Sequence, residues 1–262
     1  MHAVDLELAD GMRLEAALHP ARHSKRPGTV VAVHGLGMDM DEGGMYLRLA
    51  ERLAQAGMTT LRFSFRGHGG SDGTQRSVTI AGQVLDLTAA IDAAELDYPG
   101  ALYSVAAGFG AVPTLLSLPN LEDRLHGLVL WQPVLDLRET FLEPRLPWGQ
   151  ANFGPKARAA SERDGFLLLD GEFELDRALL EEMHHHEPAK SFAASRVPAL
   201  IVHGDRDTSV SHDTSAAAAT ARPGCQLHSV RGADHGFDTR PHEDEALDAT
   251  VGWLIRRHGQ LP

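Results

Sequence analysis

The residues able to do chemistry sit in four short stretches. "LIVHGDRDTSV" carries Asp207, "VRGADHGF" carries His235, "VVAVHGLG" carries His34 and "SVAAGFGA" carries Gly108. A carboxylate that accepts from one imidazole nitrogen fixes the tautomer of the ring and stabilises its protonated form. The other nitrogen is then free to act as a base. Asp207 and His235 are the pair whose meeting would give that chemistry; Asp205, in the same run, serves to order the turn. Taken alone the pair says little, because Gly-Asp runs make turns and His235 is one of 15 histidines. What distinguishes the four stretches is position: each follows an apolar run. In an open sheet ligands bind beyond the carboxyl ends of the strands. Four residues far apart in sequence can therefore share one rim.

The elements that must position them are legible from pattern. Residues 3–18 alternate apolar and polar side chains on both sides of Asp10–Gly11, which predicts a β-hairpin. "HPARHSKRPG" is a polar loop. "TVVAVH" (29–34) is a nearly continuous apolar run, as expected of a strand covered on both faces. A helix over 46–57 ends at Gly57, a strand follows over 59–65, and an amphipathic helix over 78–97 is closed by Pro99–Gly100. Strands over 101–105, 125–131, 197–204 and 225–230 alternate with helices from about 108, near 211–222 and over 243–258. Such alternation predicts an α/β fold: a mostly parallel sheet with helices on both faces and the hairpin as an antiparallel edge. Residues 136–194 interrupt it with prolines, two short apolar segments and a helix-like run ending in "HHH". They read as a cap inserted into a core made of 1–135 and 195–262.

The order of these motifs resembles the α/β-hydrolase superfamily, and within it the bacterial serine esterases and acyl hydrolases of the serine-aminopeptidase type. The resemblance spans roughly residues 25–258. "VVAVHGLG" looks like the family's His-Gly oxyanion loop and "LRFSFRGHGGSDG" like its Arg-Gly-His-Gly-x-Ser loop. "SVAAGFGA" sits where the nucleophile elbow belongs, "LIVHGDRDTSV" looks like the acid loop, and "VRGADHGF" like the histidine loop. The resemblance implies Asp207 as acid and His235 as base, with Asp136 as a second candidate acid because some members place it there. It implies the backbone amides of Leu36 and Phe109 as donors to an oxyanion, a role in which side chains are irrelevant.

The departure from the family lies at the elbow. On the Gly-x-Ser-x-Gly pattern, Ala106 takes the first glycine, Gly108 the serine and Gly110 the last glycine. Gly108 has no hydroxyl. Ser104 lies four residues too early and Cys225 opens another strand, so acyl-enzyme chemistry has no evident nucleophile. Glycine adopts the positive φ of an elbow without a Cβ penalty, so the turn is expected to survive. Three functions are compatible with this. The chain is an acyl hydrolase inactivated by a Ser-to-Gly change, or an enzyme in which the His235–Asp207 dyad acts directly as general base. The dyad then serves hydrolysis, cyclisation or lyase chemistry. Otherwise it is a non-catalytic small-molecule-binding protein; the resemblance offers a precedent in proteins related to the N-myc downstream-regulated family, which also lack the elbow serine but have lost more of the triad.

The remaining features narrow the partners. Aromatic residues of the cap, Phe141, Trp148 and Phe153 together with Phe166 and Phe173, and His34 beside the oxyanion loop, are candidate contacts for a substrate with an apolar acyl or alkyl part. The aromatics serve cap packing equally well. Arg66–Asp72 is read as a loop-ordering segment. Three consecutive histidines at 184–186 cannot share one helical face, so no metal site is assigned to them, and no cofactor motif appears. The formal charge of -12, from 24 basic and 36 acidic side chains, argues against nucleic acid or an anionic membrane as partner. The single Cys225 excludes an intramolecular disulfide and a Cys-rich metal site. The N-terminus lacks a signal-peptide pattern and no apolar run approaches the ~20 residues of a membrane helix. A cytoplasmic monomer or homodimer is the expectation.

Overall fold

The computed structural model describes residues 1–23 and 28–261. Positions 24–27 of the polar loop, and Pro262, lie outside the described residues. In chain order the first half runs β1 (His2–Glu7), β2 (Arg13–His19), β3 (Gly28–Val33), α1 (Met45–Gln55), β4 (Thr59–Phe63), α2 (Ile80–Asp97), β5 (Ala101–Ala107), α3 (Ala111–Leu121) and β6 (Leu125–Trp131). The insertion holds α4 (Pro147–Phe153), α5 (Pro155–Asp164), β7 (Leu167–Leu169), β8 (Phe173–Leu175), α6 (Arg177–Glu182) and α7 (Pro188–Ala194). β9 (Ala199–Gly204), α8 (His212–Ala221), β10 (Cys225–Val230) and α9 (Arg240–Gly259) complete the chain.

Eight strands form one sheet in the order β1-β2-β4-β3-β5-β6-β9-β10. β1–β2 and β2–β4 pair antiparallel; all other pairs are parallel. The apolar runs explain why. Every residue of β3 and β9 is buried. In β3, Val31 and Val33 pack on one side with Leu87 and Ile91 of α2 and Leu115 and Leu118 of α3. Val30 and Ala32 pack on the other with Leu49 and Leu53 of α1 and Leu247 and Trp253 of α9. Burying a side chain of Val or Leu size is worth about 1.5–3 kcal/mol, and a strand that is apolar on both faces collects it twice over.

Caps set the boundaries that periodicity leaves loose. α2 starts at Ile80 because the Thr79 hydroxyl accepts the Gly82 amide. α9 starts at Arg240, three residues before the stretch its apolar spacing predicts. Thr239 caps it, and Pro241 is tolerated in a first turn, where its missing N–H costs nothing.

This order places the site. From β3 the chain crosses to β4 on one side, and from β5 it crosses to β6 on the other. β3 and β5 are neighbours, so the crevice beyond their carboxyl ends is a topological switch point, where α/β sheets bind ligands. The loops beginning at His34 and Gly108 leave from those two ends.

Over this crevice sits the insertion. Phe141, Phe153, Leu167, Leu175 and Leu179 form an apolar cluster with Phe109 and Val112 of the elbow and with Val210. The two short apolar segments of the sequence are the strands of a small antiparallel hairpin, β7–β8. α7 belongs elsewhere: Phe192 is buried in the main core with Leu115 and Leu118. The cap as a packed unit thus ends near Met183, whereas a boundary at 194 counts α7 with it.

Candidate active site

A sharp turn with glycine at position 108 joins β5 to α3. Gly108 follows β5 at φ +48°, a left-handed conformation that favours glycine, and its carbonyl accepts the Val134 amide at 3.0 Å. The next turn runs directly into α3. Gly110 is required there, because a Cβ at 110 would stand 2.4 Å from the His34 carbonyl oxygen and 2.7 Å from that of Val33. Gly108 differs: a Cβ there would meet nothing nearer than His235 Nε2, at 3.8 Å, and Gly35 Cα, at 4.0 Å. The position once implied for a nucleophile is therefore open and faces an imidazole.

That imidazole is tied to Asp207. His235 Nδ1 donates to Asp207 Oδ2 at 2.8 Å, so in the neutral ring Nε2 is the bare nitrogen, turned toward Gly108. The Asp207 carboxylate is fully buried and accepts three further hydrogen bonds. His203 Nε2 donates to Oδ2 at 3.0 Å, and the amides of Ser209 and Val210 donate to Oδ1 at 2.8 Å each. Burial alone would raise the Asp207 pKa. The hydrogen bonds from His203 and His235 outweigh it and hold the carboxyl well below the usual carboxylate range. For His235, burial works to lower the pKa, but the hydrogen bond and charge of Asp207, with Glu42 and Asp234 behind them, push it above the ordinary imidazole value. The side chain keeps about a third of its surface, 35%, open to the cavity mouth.

The loop after β3 is held by neutral histidines. His34 is fully buried; its Nδ1 donates to the Gly35 carbonyl at 2.7 Å and its Nε2 accepts the Phe65 amide at 2.9 Å. Burial lowers its pKa to about 3, so the ring is neutral at physiological pH. His68 Nδ1 donates to the Arg66 carbonyl, its Nε2 accepts the Gly37 amide at 3.3 Å, and its ring stacks on Phe173 of the cap at 4.7 Å. Burial takes its pKa down to about 4. Gly37, at φ +77°, completes the turn. The Tyr46 hydroxyl of α1 donates to the Val33 carbonyl at 2.8 Å and so pins the end of β3. The Leu36 amide has no acceptor among the described residues. Phe109 is the second residue of a helical turn that Gly108 opens, where the first amides lack an intrahelical partner.

These pieces converge on one cavity of about 210 Å³. Its wall includes Leu36, Met38, Val134, Phe141, Trp148 and Val210 on the apolar side, and Glu42, Gly108, Gln132 and His235 on the polar side. Of the residues singled out from sequence, the structure brings together Gly108, Asp207, His235, Leu36, Phe109, Phe141 and Trp148. It does not bring His34, Phe153, Phe166 or Phe173 to the cavity. His34 is an internal brace. Phe153 stands behind the wall, 4.9 Å from the Phe141 ring and 5.7 Å from that of Trp148. Phe166 lies under the Arg76 guanidinium, and Phe173 stacks on His68. Asp136 is exposed, accepts the Glu139 amide and does not line this cavity. Asp205 orders the turn by accepting the Gly232 amide at 2.6 Å. Arg66 is bonded to Asp86, in keeping with a loop-ordering role. Ser104 is buried inside β5, and Cys225 opens β10 at the end of the sheet opposite the cavity. His184 and His185 are exposed, and among the described residues no group of His, Cys, Asp or Glu is arranged to hold a metal.

Four contributors escaped sequence reasoning. Gln132, at φ +46° just after β6, accepts the Gly236 amide at 2.7 Å and donates to the Asp234 carbonyl at 3.1 Å. Asp234 accepts the Thr208 and His235 amides at 2.7 Å and locks the acid loop to the histidine loop. His203 braces Asp207, and Glu42 holds Gly35. A polar residue directly after a buried strand was the available signal for Gln132; the others had none.

This geometry defines an α/β-hydrolase: a mostly parallel eight-stranded sheet with an antiparallel hairpin at its edge and a cap over the switch point. The family model described as serine aminopeptidase, S33, matches residues 24–170, more than half of the sequence, and the chain belongs to that family. The match ends before the acid and histidine loops. Solved structures agree on the fold. The esterase Est1E of Butyrivibrio proteoclasticus, determined with ferulic acid bound, superimposes with a TM-score of 0.83 at 20% identity, over 98% of this chain and 100% of that one. A putative hydrolase of Agrobacterium vitis S4 gives 0.75 at 23% identity over 96% and 97%. An esterase of Pyrococcus furiosus gives 0.73 at 18% over 97% and 90%. The chain is thus built on an esterase-like acyl hydrolase scaffold. No helix among the described residues is long and apolar enough to cross a membrane.

Proposed function

We propose that this chain hydrolyses an ester- or thioester-type acyl bond by general-base catalysis, with water as the nucleophile. The observation that carries this reading is the open volume at Gly108, where a Cβ would stand 3.8 Å from Nε2 of His235 and touch nothing closer. A water there gives its proton to Nε2 and attacks the acyl carbon. The Leu36 and Phe109 amides receive the developing oxyanion, and Asp207 stabilises the imidazolium. A positioned base contributes about 10²–10⁴-fold, and preorganised amides add several orders more. The cavity, about 210 Å³, exceeds the ~150 Å³ that holds benzene in an engineered apolar core. It suits an apolar acyl or alkyl part the size of one ring or a short chain. The test is turnover of short acyl esters with hydroxylamine present as a trap. Hydrolysis without trapped acyl-enzyme, abolished by His235→Ala, is expected; turnover untouched by His235→Ala would sink the reading.

A second reading is favoured by the same open space. A serine at 108 fits without collision and would complete a triad, which makes the chain an acyl-enzyme hydrolase disarmed at one atom. The Gly108→Ser variant separates the two.

A further inference from the structure

Glu42 is a carboxyl that the scheme above leaves unused. It sits at φ +48°, rare for a residue with a side chain, in the turn that leads into α1. Its Oε2 accepts the Gly35 amide at 2.7 Å. Its Oε1 takes no hydrogen bond from any described residue and lies over Gly35, 3.5 Å from where a Cβ on that glycine would stand. The Cα of the same Gly35 is 4.0 Å from the Cβ position of Gly108. Glu42, Gly108 and His235 line one cavity. The space at Gly108 is thus bordered by the imidazole and by the glycine that carries the carboxyl.

We propose that Glu42 is the general acid of the reaction, giving its proton to the departing oxygen of the substrate while His235 takes the proton of the attacking water. This rests on the hydrolase reading above. A water O–H gives its proton to His235 Nε2 as the new C–O bond forms. The bond to the leaving oxygen then breaks with its electron pair, and that oxygen takes the proton from Glu42. The products are a carboxylic acid and an alcohol. The imidazolium returns its proton to the Glu42 carboxylate through solvent, and one water is consumed.

The surroundings suit the role. Burial pushes the Glu42 pKa up to about 7, against the Gly35 hydrogen bond and the charge of His235, with Asp39 adding to the rise. A protonated fraction therefore persists near neutrality, where a general acid is most effective. The groups facing it are Asp39 and Tyr46 on its own segment and His235 across the cavity; those facing His235 are Asp207, Asp234 and Glu42.

The experiment compares two esters, because leaving-group chemistry separates an acid from a brace. p-Nitrophenyl acetate releases a phenolate that needs no proton, whereas ethyl acetate releases an alkoxide that does. Glu42→Gln keeps an oxygen for the Gly35 amide but has no proton to give. The expected result is a fall of about 10²–10⁴-fold in kcat for ethyl acetate. For p-nitrophenyl acetate the change should stay within about threefold. The decline of ethyl acetate turnover above about pH 7 should also vanish in the variant. Equal losses on both esters, or none, overturn the proposal and leave the hydrolase reading standing. A wild-type chain that hydrolyses neither ester overturns both. Should the variant fail to fold, the wild-type rate ratio of the two esters carries the same decision. It rises in favour of p-nitrophenyl acetate as Glu42 loses its proton between about pH 6 and about pH 9, or it stays flat and the proposal falls.

Discussion

Placing a hydroxyl at position 108 is the sharpest test of the site's geometry. A Cβ there meets His235 Nε2 at 3.8 Å and Gly35 Cα at 4.0 Å, both ordinary contacts, so Gly108→Ser needs no repacking. Its cost is conformational. A non-glycine residue in the left-handed region costs about 1–2 kcal/mol. Part of that is offset because serine is less free than glycine in the unfolded chain, an effect of about 0.4–1 kcal/mol. The net loss is about 1 kcal/mol, and a chain of this size loses about 2–4 °C in Tm for it. The gain is chemical. The new Oγ would extend from a Cβ 3.8 Å from His235 Nε2, in a ring oriented by the buried Asp207 carboxylate. Removing such a serine from a working triad costs on the order of 10⁶ in kcat. Installing it should raise p-nitrophenyl butyrate hydrolysis by on the order of 10³–10⁶-fold, with a pre-steady-state burst and covalent labelling by a fluorophosphonate. A variant that melts within a few degrees of the parent, yet is neither labelled nor faster, would show that Nε2 and the amides do not converge on this position.

Further expectations come from the groups around it. The base must be neutral to act, and Asp207 raises the His235 pKa, so wild-type kcat/KM should rise with pH through a value above 6.5; in Asp207→Asn burial dominates, the rise moves to lower pH, and its plateau drops about 10²–10⁴-fold. His203→Phe removes a donor from Asp207 and leaves the Ser215 hydroxyl unpaired, which should cost about 1–3 kcal/mol in denaturant unfolding, whereas no loss would mean that the two loop amides suffice to hold the acid. Gly110→Ala drives a methyl into the His34 and Val33 carbonyls; overpacking of about 1–3 kcal/mol should appear in thermal melts, together with loss of esterase activity as the elbow shifts from β3.

What could be read from the chain, and what could not, follows from the range over which each feature is determined. Strands such as β3 and β9 announce themselves because a run buried on both faces must be apolar throughout. Gly110 and Gly108 were legible because a turn of fixed shape admits few residue types. Asp207 and His235 stand out through the order of the motifs and their place beyond strand ends, and the structure sets them 2.8 Å apart. Helix starts were misplaced by two or three residues, since one hydroxyl at Thr79 or Thr239 decides them and apolar spacing does not register it. The aromatic residues of the cap show the limit of composition. Phe141, Trp148, Phe153 and Phe166 look alike in sequence, but only the first two reach the cavity, because the cap's own core consumes Phe153 and the edge claims Phe166.

Glu42 marks that limit most plainly, and it bears on function. Its neighbours in sequence are Asp39, Asp41 and two glycines, which read together as a solvated acidic turn. Only the left-handed backbone at 42 swings the side chain inward, onto the Gly35 amide and into the cavity. Nothing in residue type or spacing encodes that rotation, yet it converts a surface carboxyl into one whose protonation is set by burial. A conventional triad has one histidine to carry the proton from nucleophile to leaving group. Here position 108 is a glycine and a second titratable group lines the same cavity. Gly35 joins the two, holding Glu42 through its amide and standing 4.0 Å from the Cβ position of Gly108, and the leaving-group comparison at Glu42 tests whether they serve one reaction.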